Sequence, residues 1–170
     1  SDDGVPWGTT GELRENTILN TTKHVTHAAV LSHSALKLHP AGSLVMAMYG
    51  ATIGRLGILG VDAVTNQACC VLSGGKNLDI KYVYYWLHVF KETIISLYST
   101  GGGQPNINQE NVTSLRVSAP DVPEQTTIAR FLDQQTAKID ELISHAHQGI
   151  DLLKERRSAL ISAAVTGKID

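Results

Sequence analysis

A chain of 170 residues with 42% hydrophobic residues and 14 Lys plus Arg against 16 Asp plus Glu has room for one compact domain and one further element, not for two full cores. No apolar run reaches the roughly eighteen residues that a helical membrane span needs, and the opening S-D-D-G-V-P-W has neither the basic nor the apolar region of a secretory signal. Residues 1–120 hold eight basic and eight acidic side chains and residues 121–170 hold six and eight, so the basic excess that marks many nucleic-acid binders is missing, a mild argument against that role.

The first forty residues are polar and turn-rich, reading more as exposed surface than as core, with a short helix opening at Thr26. From Gly42 the texture changes. Ser43 to Met48, Arg55 to Val61 and Ala68 to Leu72 are short apolar runs punctuated by Gly, Asp or Asn, which predicts buried strands. Cys69 and Cys70 are neighbours in the last of these, so their side chains point to opposite faces and cannot form an ordinary bridge. They read as small buried hydrophobes in a reducing, cytoplasmic setting.

Asp79 to Tyr98 predicts an amphipathic helix with Asp79 as N-cap and Val83, Leu87, Phe90, Ile94, Ile95 and Leu97 on its buried face. Thr100 to Asn108 cannot continue it, and Leu115 to Ala119 can make one more strand. From Pro123 to about Val165 the sequence predicts one helix, with Pro123 suited to its first turn and a length of about 60 Å at about 1.5 Å per residue. Ile139, Ile143, Ala146, Ile150, Leu153, Leu160 and Ala164 fall at alternating steps of four and three, broken only by Arg157, as in a coiled-coil seam. Such a stripe needs a helical partner. The expected organisation is an α/β (α+β) domain over 1–120 with a mixed, mostly short-stranded sheet, then a long coiled-coil helix over 121–170.

Catalytic signatures are missing: there is no phosphate-binding G-x-x-x-x-G-K-[ST], no G-x-S-x-G, no H-E-x-x-H and no G-x-G-x-x-G opening a βαβ unit. No cofactor or metal is expected. His24, His27, His33 and His39 lie close together in sequence, yet no cysteine accompanies them and their spacing fits no familiar zinc motif. Two segments carry more chemistry. In Y-G-A-T-I-G-R (Tyr49 to Arg55), Thr52 and Arg55 can meet phosphate oxygens or a base edge, or the segment is a tight glycine turn with a solvated Arg. In T-G-G-G-Q-P-N-I-N, successive N–H groups can form an anion nest beside Gln104 and Asn106, or the segment is a plain loop.

M-A-M-Y-G-A-T-I-G-R-L-G-I-L (Met46 to Leu59), T-N-Q-A (Thr65 to Ala68), G-G-Q-P-N-I (Gly102 to Ile107) and P-x-x-P-E-Q-x-x-I (Pro120 to Ile128) together resemble the DNA specificity subunit of type I restriction-modification enzymes. F-L-D (Phe131 to Asp133), K-I-D-x-L-I, L-L-K-E-R-R-x-A-L-I and A-V-T-G-K-I-D extend the resemblance through the tail. The resemblance implies a target-recognition domain joined to a spacer helix. It also implies a subunit that catalyses nothing, reads one half of a split sequence in double-stranded DNA, and docks methyltransferase subunits and through them the restriction subunit. Family members usually carry two such units, whereas this sequence supplies one, and they commonly have a further strand ahead of Val5. A homodimer through Ile139, Ile143, Ala146, Ile150, Leu153, Leu160 and Ala164 would restore two heads.

On this reading Thr9, Thr10, Glu12, Lys23, Lys37, Thr52, Arg55, Gln104 and Asn106 are candidates for the DNA face. Arg55 and the amides suit base edges, and the lysines suit phosphates. Two rivals stand beside it: a binding module for protein or nucleotide whose helix serves only oligomerisation, and an enzyme built on the histidines around His24 and His27.

Overall fold

The polar opening of the chain carries four strands: β1 Val5–Gly8, β2 Asn16–Ile18, β3 Lys23–Val25 and β4 Leu38–His39, with helix α1 His27–Ser32 between the last two. In the computed structural model, which describes residues 4–100 and 105–168, Val5, Leu13, Ile18 and Thr21 are buried, so this stretch contributes core as well as surface. Strands of two to four residues, the first of them containing Pro6 and Gly8, are too short to show a period of two, which is why they read as loop. Thr26 does cap α1, its side chain accepting from the Ala29 N–H at 3.2 Å.

The apolar runs form β5 Leu44–Ala47, β6 Leu56–Leu59 and β8 Cys69–Leu72, with β7 Ala63–Thr65 between the last two. The expected mixed, short-stranded architecture takes the form of two four-stranded sheets, in the orders β3-β1-β7-β4 and β2-β6-β5-β8. In the first, β1 pairs parallel with β7, while β3 and β4 are antiparallel to their neighbours; in the second, β2 and β6 are parallel and β5 is antiparallel to both β6 and β8.

All four residues of β5 are buried because its two faces serve two clusters. Leu44 and Met46 join Met48, Leu56, Cys70, Val83, Leu87 and Ile94 on one side, and Val45 and Ala47 join Leu13, Ile18, Leu59, Ala63 and Cys69 on the other. The adjacent cysteines are divided between these clusters, unbridged and buried. Each fully buried Leu here is worth about 1.5–3 kcal/mol relative to exposure, so the double-sided strand is the hydrophobic centre of the unit.

Helix α2 Ile80–Tyr98 begins at Asp79, whose carboxylate accepts from the Lys81 and Tyr82 N–H groups at 2.9 and 3.1 Å. Val83, Leu87 and Ile94 are buried, and Ile95 packs partly buried beside them. Phe90 and Leu97, expected on that face, are 42% and 70% exposed. At about 100° per residue they fall to one flank of the stripe through Leu87 and Ile94, and the Phe90 ring lies tilted against Trp86 with centroids 4.7 Å apart. Helix α3 Gln109–Thr113, unanticipated, is capped by Asn108. The strand expected over Leu115 to Ala119 does not form. Leu115 packs against the core, and the Tyr82 hydroxyl donates to the Ser118 carbonyl at 3.0 Å where a neighbouring strand would have to pair.

Helix α4 runs Val122–Val165, placing Pro123 in its first turn. Asp121 is its N-cap, accepting from the Glu124 N–H at 3.0 Å. At the other end Gly167 has φ +70°, and the Lys168 N–H reaches back to Ala163 O at 2.8 Å while Gly167 N–H meets Ala164 O at 3.3 Å. This is the left-handed glycine cap that closes a helix end. The chain divides into two compact units, Ser1–Thr127 and Ile128–Asp170. Among the described residues no helix is long and apolar enough to cross a membrane.

Candidate nucleic-acid interface

Because β1 and β7 run parallel, with Gly8 opposite Thr65, Thr9 and Thr10 leave the first sheet at the same end as Asn66 and Gln67. The Asn66 N–H donates to the Gly8 carbonyl at 3.0 Å and ties the two exits together. The antiparallel strands enter at this end: Lys23 pairs with Trp7, and Leu38 with Val64, which puts Lys37 beside Thr65. Topology therefore gathers Thr9, Thr10, Lys23 and Lys37, which are scattered in sequence. Thr21 helps to hold Lys23, its buried hydroxyl accepting from the Trp7 N–H at 3.0 Å and donating to the Lys23 carbonyl at 2.6 Å.

Glu12 serves the loop after β1: its carboxylate accepts from the Thr9 N–H at 2.9 Å and from the Thr9 hydroxyl. Burial pushes this carboxyl up, but the Thr9 bonds, with backbone N–H groups of Thr22 and of Glu12 itself, outweigh it and hold it below the ordinary value. Glu12 thus organises the loop that carries Thr9 and Thr10.

A second group forms at the end of the other sheet. Gly50–Thr52 is a single 3-10 turn between β5 and β6, and its motif glycines Gly50 and Gly54 have φ of +64° and +78°, values that favour glycine. Gly50 N–H donates to Pro105 O at 3.0 Å, and Ile107 N–H to Met48 O at 2.9 Å, so the Tyr49-to-Arg55 and Pro105-to-Ile107 segments are one stitched unit. Thr52 gives its hydroxyl to Tyr49 O at 3.2 Å, and Asn106 Oδ1 accepts the Thr100 hydroxyl at 2.9 Å. The Arg55 side chain is exposed and has no hydrogen-bond partner among the described residues. Gln104 lies outside the described residues.

The two groups meet through the turn Asn66 to Ala68, which links β7 of the first sheet to β8 of the second and receives the Met48 N–H on Ala68 O at 2.8 Å. Beside this turn is a groove of about 350 Å³ lined by Trp7, Lys37, His39, Thr65, Asn66, Gln67 and Gln109 together with apolar residues. Among the described residues no carboxylate lines it. Burial, and then the charge of Lys37, lower the pKa of His39. Sequence reasoning had not selected Trp7, Asn66, Gln67 or Gln109 as binding residues. The adjacent amides of T-N-Q-A were the available signal, although nothing local told which strand end they would join.

The histidines separate: His24 lies on β3, His27 opens α1, His33 follows its last turn and His39 lies on β4. Among the described residues no three His, Cys, Asp or Glu side chains converge as a metal ion would require.

A family profile described as "Type I restriction modification DNA specificity domain" matches residues 2–151. Solved structures share the fold. A chain from a structural study of complex assembly and conformational transition of the type I R-M system superposes with a TM-score of 0.73 at 15% identity, covering 96% of this chain and 39% of that one. The HsdS subunit from Thermoanaerobacter tengcongensis gives 0.62 at 15% identity over 82% of this chain and 32% of that one. The type I restriction-modification S subunit from M. genitalium gives 0.54 at 18% identity over 85% and 35%. The chain thus spans between about a third and two fifths of the length of these structures. With the profile spanning most of its length, the chain belongs to the type I restriction modification DNA specificity domain family.

Proposed function

We propose that this chain is the non-catalytic, sequence-reading part of a type I restriction-modification complex, holding one half of a split site in double-stranded DNA. The observation that carries the reading is the gathering of Thr9, Thr10, Lys23 and Lys37 at one sheet end, joined by the turn Asn66 to Ala68 to the unit bearing Thr52, Arg55 and Asn106. Lys23 and Lys37 suit phosphate oxygens, and Arg55, without a hydrogen-bond partner among the described residues, has the planar donor fork that fits guanine or phosphate. The head on this reading is 1–120 and the spacer 121–170.

The long helix supplies the second half of the proposal. Ile139, Ile143, Ile150, Leu153 and Leu160 are each about half exposed or more, and Ala146 and Ala164 are exposed with them. A second copy packed along this seam would bury them and present two identical heads to a symmetric split site. Methyltransferase subunits, and through them the restriction subunit, are the further partners proposed.

The test is co-expression with a modification subunit, followed by purification and mapping of methylated adenines. Co-purification with methylation at a defined split sequence is expected. A complex that methylates without sequence preference, or no salt-dependent binding to duplex DNA, would overturn the reading in favour of a module for another ligand.

A further inference from the structure

The groove beside the Asn66-to-Ala68 turn, whose wall includes Lys37, adds side-chain amides that the other described candidates lack in free form. Gln67 and Gln109 are exposed, and neither carboxamide has a hydrogen-bond partner among the described residues. Each sits on a fixed backbone. Gln67 occupies a turn held by Asn66 N–H to Gly8 O at 3.0 Å, Cys69 N–H to Asn66 O at 3.1 Å and Ala68 N–H to Asn66 Oδ1 at 3.2 Å. Gln109 follows Asn108, whose side chain accepts the Asn111 N–H at 2.7 Å. Lys37 and the Trp7 indole form other parts of the wall.

A carboxamide offers one acceptor and two donors in a plane, the pattern that pairs with a base edge and above all with adenine N6 and N7. An amide on rigid backbone reads more sharply than one on a free loop, because little freedom remains to be lost on binding. Among the described residues the groove wall holds Lys37 and no carboxylate, although Glu12 lies close enough to Cys69 for its charge to be felt there. By contrast, Asn106 already uses its side-chain oxygen on Thr100, and Thr52 gives its hydroxyl to Tyr49. Asn106 and Thr52 are therefore better suited to holding DNA than to discriminating it.

Resting on the DNA-reading function proposed above, we infer that this groove is a base-reading site: Gln67 and Gln109 contact base edges of the duplex, Lys37 takes the adjoining phosphate, and Trp7 lines the contact. Asn66 is a positioning residue that shapes the turn carrying Gln67.

The experiment uses the full chain co-purified with a modification subunit and a pool of duplexes randomised across the target. Gln67→Ala and Gln109→Ala are expected to relax selection at one or two base positions by between about fivefold and about a hundredfold, leaving the other positions as they were. Lys37→Ala is expected to weaken binding to all sequences alike and to reduce the salt slope by about one. Circular dichroism checks that each variant is folded. An independent readout needs no groove variant: in a Trp86→Phe background Trp7 is the remaining tryptophan of two, and the selected duplex should change its fluorescence. If the unsubstituted complex selects a sequence while folded Gln67→Ala and Gln109→Ala keep its preferences unchanged, or Trp7 does not respond, the groove assignment falls and the DNA reading stands. If the unsubstituted complex selects no sequence, both fall.

Discussion

Gln125 and Asp79 join the first turns of two helices: the Gln125 carboxamide oxygen accepts the Asp79 N–H at 2.9 Å, while its nitrogen donates to Asn77 O at 3.0 Å and Pro120 O at 2.8 Å. Gln125 is fully buried, and every hydrogen bond it needs is made. Asp79 in turn caps α2 through one carboxylate oxygen and accepts the Thr126 hydroxyl on the other at 3.0 Å. Gln125→Ala leaves one donor and two acceptors unpaired and should cost on the order of 2–3 kcal/mol in urea unfolding. Gln125→Glu keeps the shape but faces two carbonyls. The fold would hold that carboxyl neutral and raise its pKa, so the variant should lose stability as pH rises from acid to neutral.

Gly54 combines φ +78° with a close neighbour, since an added Cβ would lie 2.7 Å from the Ile95 side chain. Gly42 has φ +85° with nothing within 4 Å. Gly42→Ala should therefore show backbone strain alone, about 1 kcal/mol, and Gly54→Ala that strain plus the displacement of Ile95, about 2 kcal/mol or more. Thermal unfolding of the two variants side by side measures the difference.

Burial pushes the Cys69 thiol up to about 12, with the charge of Glu12 and then Cys70 adding to the rise, and burial pushes Cys70 up to about 11. Both should resist alkylation at pH 8 in the folded chain and react on unfolding. A raised thiol pKa means that the native state keeps its protons longer than the unfolded state. The contribution is present below the ordinary value of 9.0 and is lost as pH rises above it. Stability measured from pH 8 to 10 should fall, and Cys69→Ala should fall less steeply.

Glu12 has the opposite sign. Its lowered pKa stabilises the fold above the ordinary value of 4.5, and that contribution is lost as pH falls through the lower native value. Glu12→Gln should flatten the acid side of the stability curve. It should also loosen the Thr9 loop, visible as faster amide exchange at Thr9.

The proposed pairing of α4 predicts that Ile150→Glu with Leu153→Glu converts a dimer into a monomer by sedimentation, while the head keeps its circular dichroism. Inserting one helical turn between Ala146 and Ile150 should lengthen the gap between methylated half-sites and leave their sequences unchanged.

Features encoded by near neighbours were legible in the sequence. Asp79 and Thr26 cap the helices they precede, Pro123 falls in the first turn of α4, and the runs around Leu44, Leu56 and Cys69 are strands. Helix periodicity and capping depend on residues within about one turn, so they survive without tertiary context. Tertiary structure decided what depends on distant partners. The pairing of β1 with β7 brings Lys23, Thr9, Gln67 and Lys37 to one sheet end, and no local pattern contains that register. The same holds for the exposure of Phe90 and Leu97, the unpaired path after Leu115, and the burial of Gln125, a polar residue admitted to the interior because three backbone groups from two segments, Asn77 and Asp79 on one and Pro120 on the other, converge on it.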